Sequence, residues 1–293
     1  MSLDVTELDM TRADTHGKIY DLLCHAFGTV PDELLHHVSN QPPKGQVSYG
    51  IYDKSKLVAV NFYIAHSVHR NGQAGTAYQS CTTATHRDYK GMKLFPKVMN
   101  FAKEDLTQKG GAFIFGFPNH ISGPIAVNRL GFTLSDNISS FTFQTPLGAV
   151  GGYDEKALSE HLTADKAILF DYREAAVWKQ ARHGDDLFQY ESLTNSLFGR
   201  VLRKTAFGMR FNLLVVGGLE INKPYQTNAF IRQALRAAGC SAMRVTSNIN
   251  GALAKSARIT KGRTRTEPVI AFGPNWDVDA ADLEVIAGLK DVY

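Results

Sequence analysis

A strand, a polar loop, a helix and a second strand are written into residues 76–117, and that order limits the fold more than any other feature of the chain. Thr76–Thr85 is strand-like, and the polar run His86–Lys93 follows it. From Leu94 the apolar residues Leu94, Phe95, Val98, Met99, Ala102 and Leu106 fall at helical spacing, with Pro96 tolerated in the first turn. Gly110-Gly111 ends the helix, and Ala112–Phe117 is the continuous apolar run of a buried strand. A crossover of that length predicts two parallel, neighbouring strands.

The flanking segments extend the pattern. Thr15–Phe27 reads as a helix with Ile19, Leu22, Leu23 and Phe27 inward, and Pro31 can open a second short helix. Val47–Asp53 and Leu57–Val68 read as strands, with turns at Lys54-Ser55 and Asn71-Gly72. Ser122–Leu130 reads as a helix ending at Gly131, and a final strand pair carries Phe141 and Phe143. Glycine-rich Pro146–Gly152 is the expected linker, giving domains 1–147 and 148–293.

The second half has a similar order. Strands are expected at Gln189–Asn195, Gly199–Thr205 and Met209–Val216. Thr227 is the expected N-cap of a helix carrying Phe230, Ile231, Ala234, Leu235 and Ala238 inward, ended by Gly239. Strand Ala242–Thr246, a helix after Asn250-Gly251, a basic turn over Ile259–Glu267, strand Val269–Phe272 and a helix near Ala280–Leu289 complete it. Helix, glycine, strand, helix recurs in both halves. The order fits a duplication with a degenerate second copy, and it fits two unrelated α/β pieces.

Composition excludes several classes. Of the 293 residues 44% are hydrophobic and 20% charged, the balance of a globular protein rather than a disordered one. No apolar run reaches the roughly 18–20 residues of a membrane helix, so no membrane insertion is expected. The first residues lack a basic segment followed by an apolar stretch. The three cysteines, Cys24, Cys81 and Cys240, fit neither a disulfide framework nor a metal site. A cytoplasmic protein without a metal is expected. A net charge of +4 is too small to indicate nucleic acid, and it suits an anionic small molecule.

The loop after Thr85 carries the chemistry. Backbone N–H groups at the start of a helix have no internal partners, and the dipole adds partial positive charge, so the turn ahead of Leu94 suits a diphosphate. Gly91 permits close backbone approach, and Lys90 and Lys93 add cationic side chains. His86-Arg-Asp-Tyr-Lys-Gly-Met-Lys-Leu-Phe95, Phe115-Gly-Phe-Pro-Asn119 and Arg129-Leu-Gly-Phe132 stand in the order and spacing of three landmarks of the GNAT superfamily. Over residues 47–145 the chain resembles the acyl-CoA-binding core of that superfamily. The version it resembles is found in bacterial N-acyltransferases of cell-surface polysaccharides and O-antigens. Two positions depart from the family's loop: Lys93 stands at its second glycine and Lys90 at its leading Arg or Gln. Val127 stands where many GNAT enzymes carry a tyrosine that protonates the leaving thiolate.

The resemblance implies a fold class, α/β with a GNAT-like mixed twisted sheet flanked by helices, and a second, degenerate GNAT-like domain. It implies acyl-CoA, acetyl or longer, as co-substrate, held by Cys81, Thr82, Thr83, Ala84, Thr85, Lys90, Gly91, Met92, Lys93, Leu94, Phe95 and Asn119. The pantetheine arm would lie between two splayed strands, and the Thr83 N–H would face the thioester oxygen. His120 is the candidate base or else a surface histidine. Asn119 fixes the pantetheine amides or an acceptor hydroxyl, or else makes a turn after Pro118. Arg173, Trp178, Arg182 and Tyr190 of the second domain can bind a dTDP- or UDP-linked amino sugar by stacking and ion pairing, or serve packing and solvation. A homodimer is compatible with this reading, and nucleic acid is not a partner. Transfer to another amine (an amino acid, polyamine or protein terminus) and a non-catalytic CoA-binding module are the alternatives.

Overall fold

The fold is described from a computed structural model over residues 3–28, 30, 42, 44–144, 152–162, 168–173, 176, 187–206, 208–248, 251–258 and 266–284. The side chains of 136–144, 206, 209, 266 and 267 lie outside that description. In chain order the first elements are β1 (Val5–Glu7), α1 (Ala13–Phe27), β2 (Gln46–Asp53), β3 (Lys56–Arg70) and β4 (Gln73–Thr85). Next come α2 (Leu94–Gln108), β5 (Phe113–Gly116), α3 (Ser122–Leu130), β6 (Thr133–Gln144), β7 (Gly152–Tyr153), α4 (Glu155–Leu162) and β8 (Leu169–Phe170). The rest are β9 (Leu187–Glu191), β10 (Asn195–Ala206), β11 (Met209–Ile221), α5 (Thr227–Ala237), β12 (Ala242–Asn248), α6 (Ala252–Ser256), β13 (Ala257–Arg258) and β14 (Thr266–Phe272). None of the described helices is long and apolar enough to cross a membrane.

Two compact units emerge, and each draws on separated stretches of sequence. The first comprises Met1–Ser67, Gly75–Leu134 and Val269–Ala280, and the second Val68–Ala74, Ser135–Pro268 and Ala281–Tyr293.

The first unit's sheet runs β1-β2-β3-β4-β5-β14. β4 and β5 are parallel, Ala77 to Ser80 against Phe113 to Gly116, and α2 crosses between them as the 76–117 pattern requires. Asn71 and Gly72 both have positive φ (52° and 76°), the geometry of a type I′ turn that suits the twist of the β3–β4 hairpin. α2 buries Leu94, Val98, Met99, Ala102 and Leu106 against Tyr49, Ile51, Ala59 and Tyr63 of the sheet. At about 1.5–3 kcal/mol for each large apolar side chain removed from water, that face fixes the helix on the sheet. On α1, Ile19, Leu22 and Leu23 are buried, but Phe27 is 51% exposed, because the helix ends there and Gly28 turns the chain away. The helix expected at Pro31 lies outside the described residues.

The second unit's sheet runs β6-β12-β11-β10-β9. β11 and β12 are parallel, with α5 crossing between them. The expected pair carrying Phe141 and Phe143 is one strand, β6, whose neighbour is β12. The strand expected from Gln189 ends at Glu191, since Ser192 turns the chain: its hydroxyl accepts from the Asn195 N–H at 2.9 Å. Thr227 opens α5 without capping it; Gln226 holds the cap position, and the Thr227 side chain is fully buried. Phe230, Ile231, Ala234 and Leu235 are buried as expected, whereas Ala238 falls past the helix end. The helix after Gly251 is only five residues long, and Ala280–Asp282 forms a 3₁₀ turn. The expected linker over 145–151 and the basic turn over 259–265 lie outside the described residues.

Candidate active site

The parallel ladder of β4 and β5 stops at Ser80 and Gly116. β5 ends there, and Pro118, two residues on, has no N–H to donate. β4 continues for five residues, Cys81 to Thr85, with no β5 partner. Thr82 has φ 46°, rare for a β-branched residue, and this kink turns the strand at the opening. Cys81 and Ala84 are buried, Thr82 and Thr85 half-buried, and Thr83 is exposed in the gap.

A buried polar network lies against the opening. Asn61 of β3 is fully buried; its Nδ2 donates to the Tyr63 hydroxyl at 2.8 Å and to Ser80 Oγ at 3.1 Å. Its Oδ1 accepts from Thr83 Oγ1 at 2.9 Å. The Tyr63 hydroxyl donates to Met99 Sδ at 2.8 Å, tying the network to α2. Burial pushes the Tyr63 phenol far above its ordinary pKa, so it stays neutral. The network therefore fixes the last paired residue of β4, Ser80, and the exposed Thr83 with groups that carry no charge.

Beyond Thr85 the chain makes a 3₁₀ turn, Arg87–Tyr89, and the Tyr89 hydroxyl donates to Asp53 Oδ2 at 2.5 Å. Gly91 has φ 85° and Lys93 φ 59°, ψ 29°, so both lie in the left-handed region. Lys93 is the N-cap of α2 and makes no side-chain cap. Among the described residues no acceptor meets the N–H groups of Gly91, Lys93, Leu94 and Phe95, and Pro96 has none to satisfy. These residues, with Thr85, Tyr89, Lys90, Pro96, Ile125 and Arg129, line a pocket of about 310 Å³. A cradle of main-chain donors with Lys90, Lys93 and Arg129 around it is built for a polyanion. The left-handed lysine has a measurable consequence. Lys93→Gly should stabilise the fold by about 1 kcal/mol in denaturant titration, because glycine carries no αL penalty. The same change should weaken polyanion binding at the loop several-fold at low salt and less at high salt, since one cationic side chain of the pocket is lost.

The other expected site residues fall into two groups. Cys81, Thr82, Thr83, Ala84 and Thr85 line the opening, and Lys90, Gly91, Met92, Lys93, Leu94 and Phe95 form the loop and helix start. Asn119 is exposed, and its Oδ1 accepts from the N–H groups of Ile121 and Ser122, both at 2.9 Å. It therefore makes the turn into α3. His120 is exposed in the same turn. Val127 is half-buried on α3 and packs on the core, so no tyrosine phenol stands there. In the second unit Arg173 pairs with Glu220, Nε to Oε2 at 3.1 Å. Tyr190 stacks on Phe188 at 6.5 Å and donates to Gln233 Oε1 at 3.3 Å. Both side chains have partners within their own unit. Trp178 and Arg182 lie outside the described residues.

Four further residues belong to the site or its border. Asn61 and Ser80 are polar residues inside strand patterns, visible as interruptions but not as partners. Arg129 was visible only as part of a landmark. His66, buried on β3, meets Gln79 Oε1 at 2.9 Å, one residue ahead of the last β4–β5 pair.

Residues 7–134 match the sequence family described as acetyltransferase (GNAT) domain, a span that contains the opened strands and the amide-lined loop. This part of the chain is similar to GNAT domains, which use acyl-CoA. Solved structures share the fold. A GCN5-related N-acetyltransferase from Kribbella flavida aligns with TM-score 0.63 and 14% identity, over 93% of this chain and 71% of that one. One from Anabaena variabilis aligns with TM-score 0.59 and 10% identity, over 91% and 72%. Eis1 from Mycobacterium abscessus aligns with TM-score 0.58 and 12% identity, over 91% and 73%. No curated protein sequence gives a significant match to the chain.

Proposed function

We propose that the GNAT-like domain transfers the acyl group of acyl-CoA to the amine of a nucleotide-linked amino sugar, by direct attack while both substrates are bound. The observation that carries the transfer is the gap beyond Ser80 and Gly116, continuous in sequence with the acceptor-free amides ahead of Leu94. A pantetheine arm in that gap can use the main chain of Cys81–Thr85 as a neighbouring strand would, and Gly91–Phe95 can take the diphosphate. The Thr83 N–H is the donor proposed for the thioester oxygen as charge develops. The amine forms its C–N bond as the C–S bond breaks; the nitrogen gives up one proton to water and, with Val127 in the tyrosine's place, water supplies the thiolate's proton.

The acceptor is inferred from what surrounds the gap. Asn61, Tyr63, Ser80 and Thr83 include no group that titrates near neutrality, so the attacking amine has to arrive uncharged. A sugar amine flanked by oxygens meets that requirement better than a lysine or polyamine. The nucleotide carrier rests on the three sequence landmarks. His120, exposed beside the end of β5, remains the proposed base for an acceptor that needs one.

Thiol release with acetyl-CoA and a panel of dTDP- and UDP-amino sugars, amino acids, spermidine and peptides tests both parts. The expected result is turnover with an amino sugar, with kcat/KM rising along the acceptor amine's own titration. Turnover with peptide or polyamine amines alone overturns the acceptor, and absence of acetyl-CoA binding overturns the transfer.

A further inference from the structure

The second unit repeats the opening. β11 pairs with β12 only over Leu213–Val215, against Ala242–Arg244, then runs on to Ile221 while β12 runs on to Asn248. Its ladder with β10 is bulged two residues past Val215, where Gly217 has no partner between Val216 and Gly218. In β4 the kink at Thr82 likewise comes two residues after Ser80. The helical crossover follows in both units.

The amide cradle is not repeated. Asn195, almost fully buried, places Oδ1 3.0 Å from the N–H groups of both Asn222 and Lys223, the first residues after β11. The chain's own side chain occupies the donors that a diphosphate would need. What remains beyond the β11–β12 divergence is a pocket of about 300 Å³. Leu162, Leu169, Phe170, Leu219 and Leu253 form its apolar walls. Its ionisable lining is Asp171, Tyr172, Glu220, Glu284 and His69, and no lysine or arginine stands among the described lining residues. Glu284 is buried; it accepts from the N–H groups of Ala252 and Leu253 at 3.1 and 3.4 Å and from Ser247 Oγ at 3.4 Å. Gly251 leaves room for it, since a Cβ there would lie 1.7 Å from Glu284 Oε2. Those three contacts are neutral hydrogen-bond donors, and the Lys255 ammonium favours the carboxylate less than burial disfavours it, while Glu220 already pairs with Arg173.

We propose that this pocket is a ligand site of the second unit, taking a small organic ammonium with an apolar body and using Glu284 as its counter-ion. It goes beyond the acyl transfer and does not depend on the acceptor assigned above. Burial holds the Glu284 carboxyl near a pKa of about 7, so ligand binding strengthens as the carboxylate forms. The charged and titratable groups facing it are Tyr153 of β7, Lys255 of α6, Asp171, Tyr172, Glu220 and His69. Comparison with Glu284→Gln isolates its contribution from theirs.

Titration calorimetry of the full chain with 2-phenylethylamine, and with 2-phenylethanol as the neutral isostere, provides the test. The amine should bind once per chain and tighten about 30-fold between roughly pH 5.5 and 8.5, following the ionised fraction of Glu284. Glu284→Gln should lose that gain while keeping the wild-type circular dichroism and acetyl-CoA affinity. If this variant does not fold, Leu169→Trp, at a partly exposed wall position, should block amine binding with acetyl-CoA affinity intact. Equal binding of the alcohol, binding indifferent to both substitutions, or no binding at millimolar amine overturns the proposal. Failure of acetyl-CoA binding would instead count against the first unit's assignment.

Discussion

Asn61→Ala should destabilise the chain by about 2–4 kcal/mol and reduce kcat more than ten-fold, because a fully buried amide serves four partners at once, Met99 Sδ among them. Its removal leaves the Tyr63 hydroxyl and Ser80 Oγ short of a partner, at about 1–3 kcal/mol for each unsatisfied buried polar group, and frees the exposed Thr83 Oγ1 from its acceptor. A cavity adds to the loss. Thr83 is the one member exposed in the gap, so its looseness transmits to the acyl site. Urea denaturation and thiol-release kinetics check the two effects. Asn61→Asp separates them: it keeps the acceptor for Thr83 but loses the donor to Tyr63 and buries a carboxylate. It should remain as destabilised as alanine while recovering part of kcat. An alanine variant with wild-type midpoint and turnover would show that the network neither holds the opening nor positions Thr83.

The second large effect is on the pH dependence of stability. Glu284 is buried and its folded pKa is raised from 4.5 to about 7, whereas in the unfolded chain it titrates as an ordinary carboxyl. Between these two values the folded state holds the proton and the unfolded state has lost it. Stability contributed by this group is therefore largest below about pH 4.5 and falls as pH rises to about 7, a loss of about 3 kcal/mol in all at roughly 1.4 kcal/mol per unit. Above pH 7 its contribution is flat. Denaturant midpoints of the wild type and Glu284→Gln, taken at half-unit steps, should differ in slope over this window and run parallel above it. Identical slopes would place the carboxyl in water.

The first unit was legible because its local signals agree. Apolar spacing from Leu94, the stop at Gly110-Gly111 and the run Ala112–Phe117 all encode one parallel crossover, and the structure has it. The loop was legible because a helix start exposes its amides whatever tertiary contacts surround it. Pairing over long sequence distance was not legible. That Val269–Phe272 lies beside β5, and β6 beside β12, depends on which sheet edge is open once the units form, and no local spacing reports it. Asn119 shows the limit for single side chains. Its place after Pro118 fitted both a ligand contact and a turn, and the sequence alone does not show the two N–H groups that its Oδ1 accepts from in the turn. Thr227 failed as a cap because the preceding 3₁₀ turn, Pro224–Gln226, carries the chain into the helix and leaves its side chain inside.

Amide hydrogen exchange with and without acetyl-CoA tests the account at its centre. Strong protection at Gly91, Lys93, Leu94 and Phe95 and in the 81–85 segment is expected on binding, with Asn222 and Lys223 unchanged because Asn195 already occupies their donors. Unaltered exchange ahead of Leu94, or equal protection after β11, would contradict it.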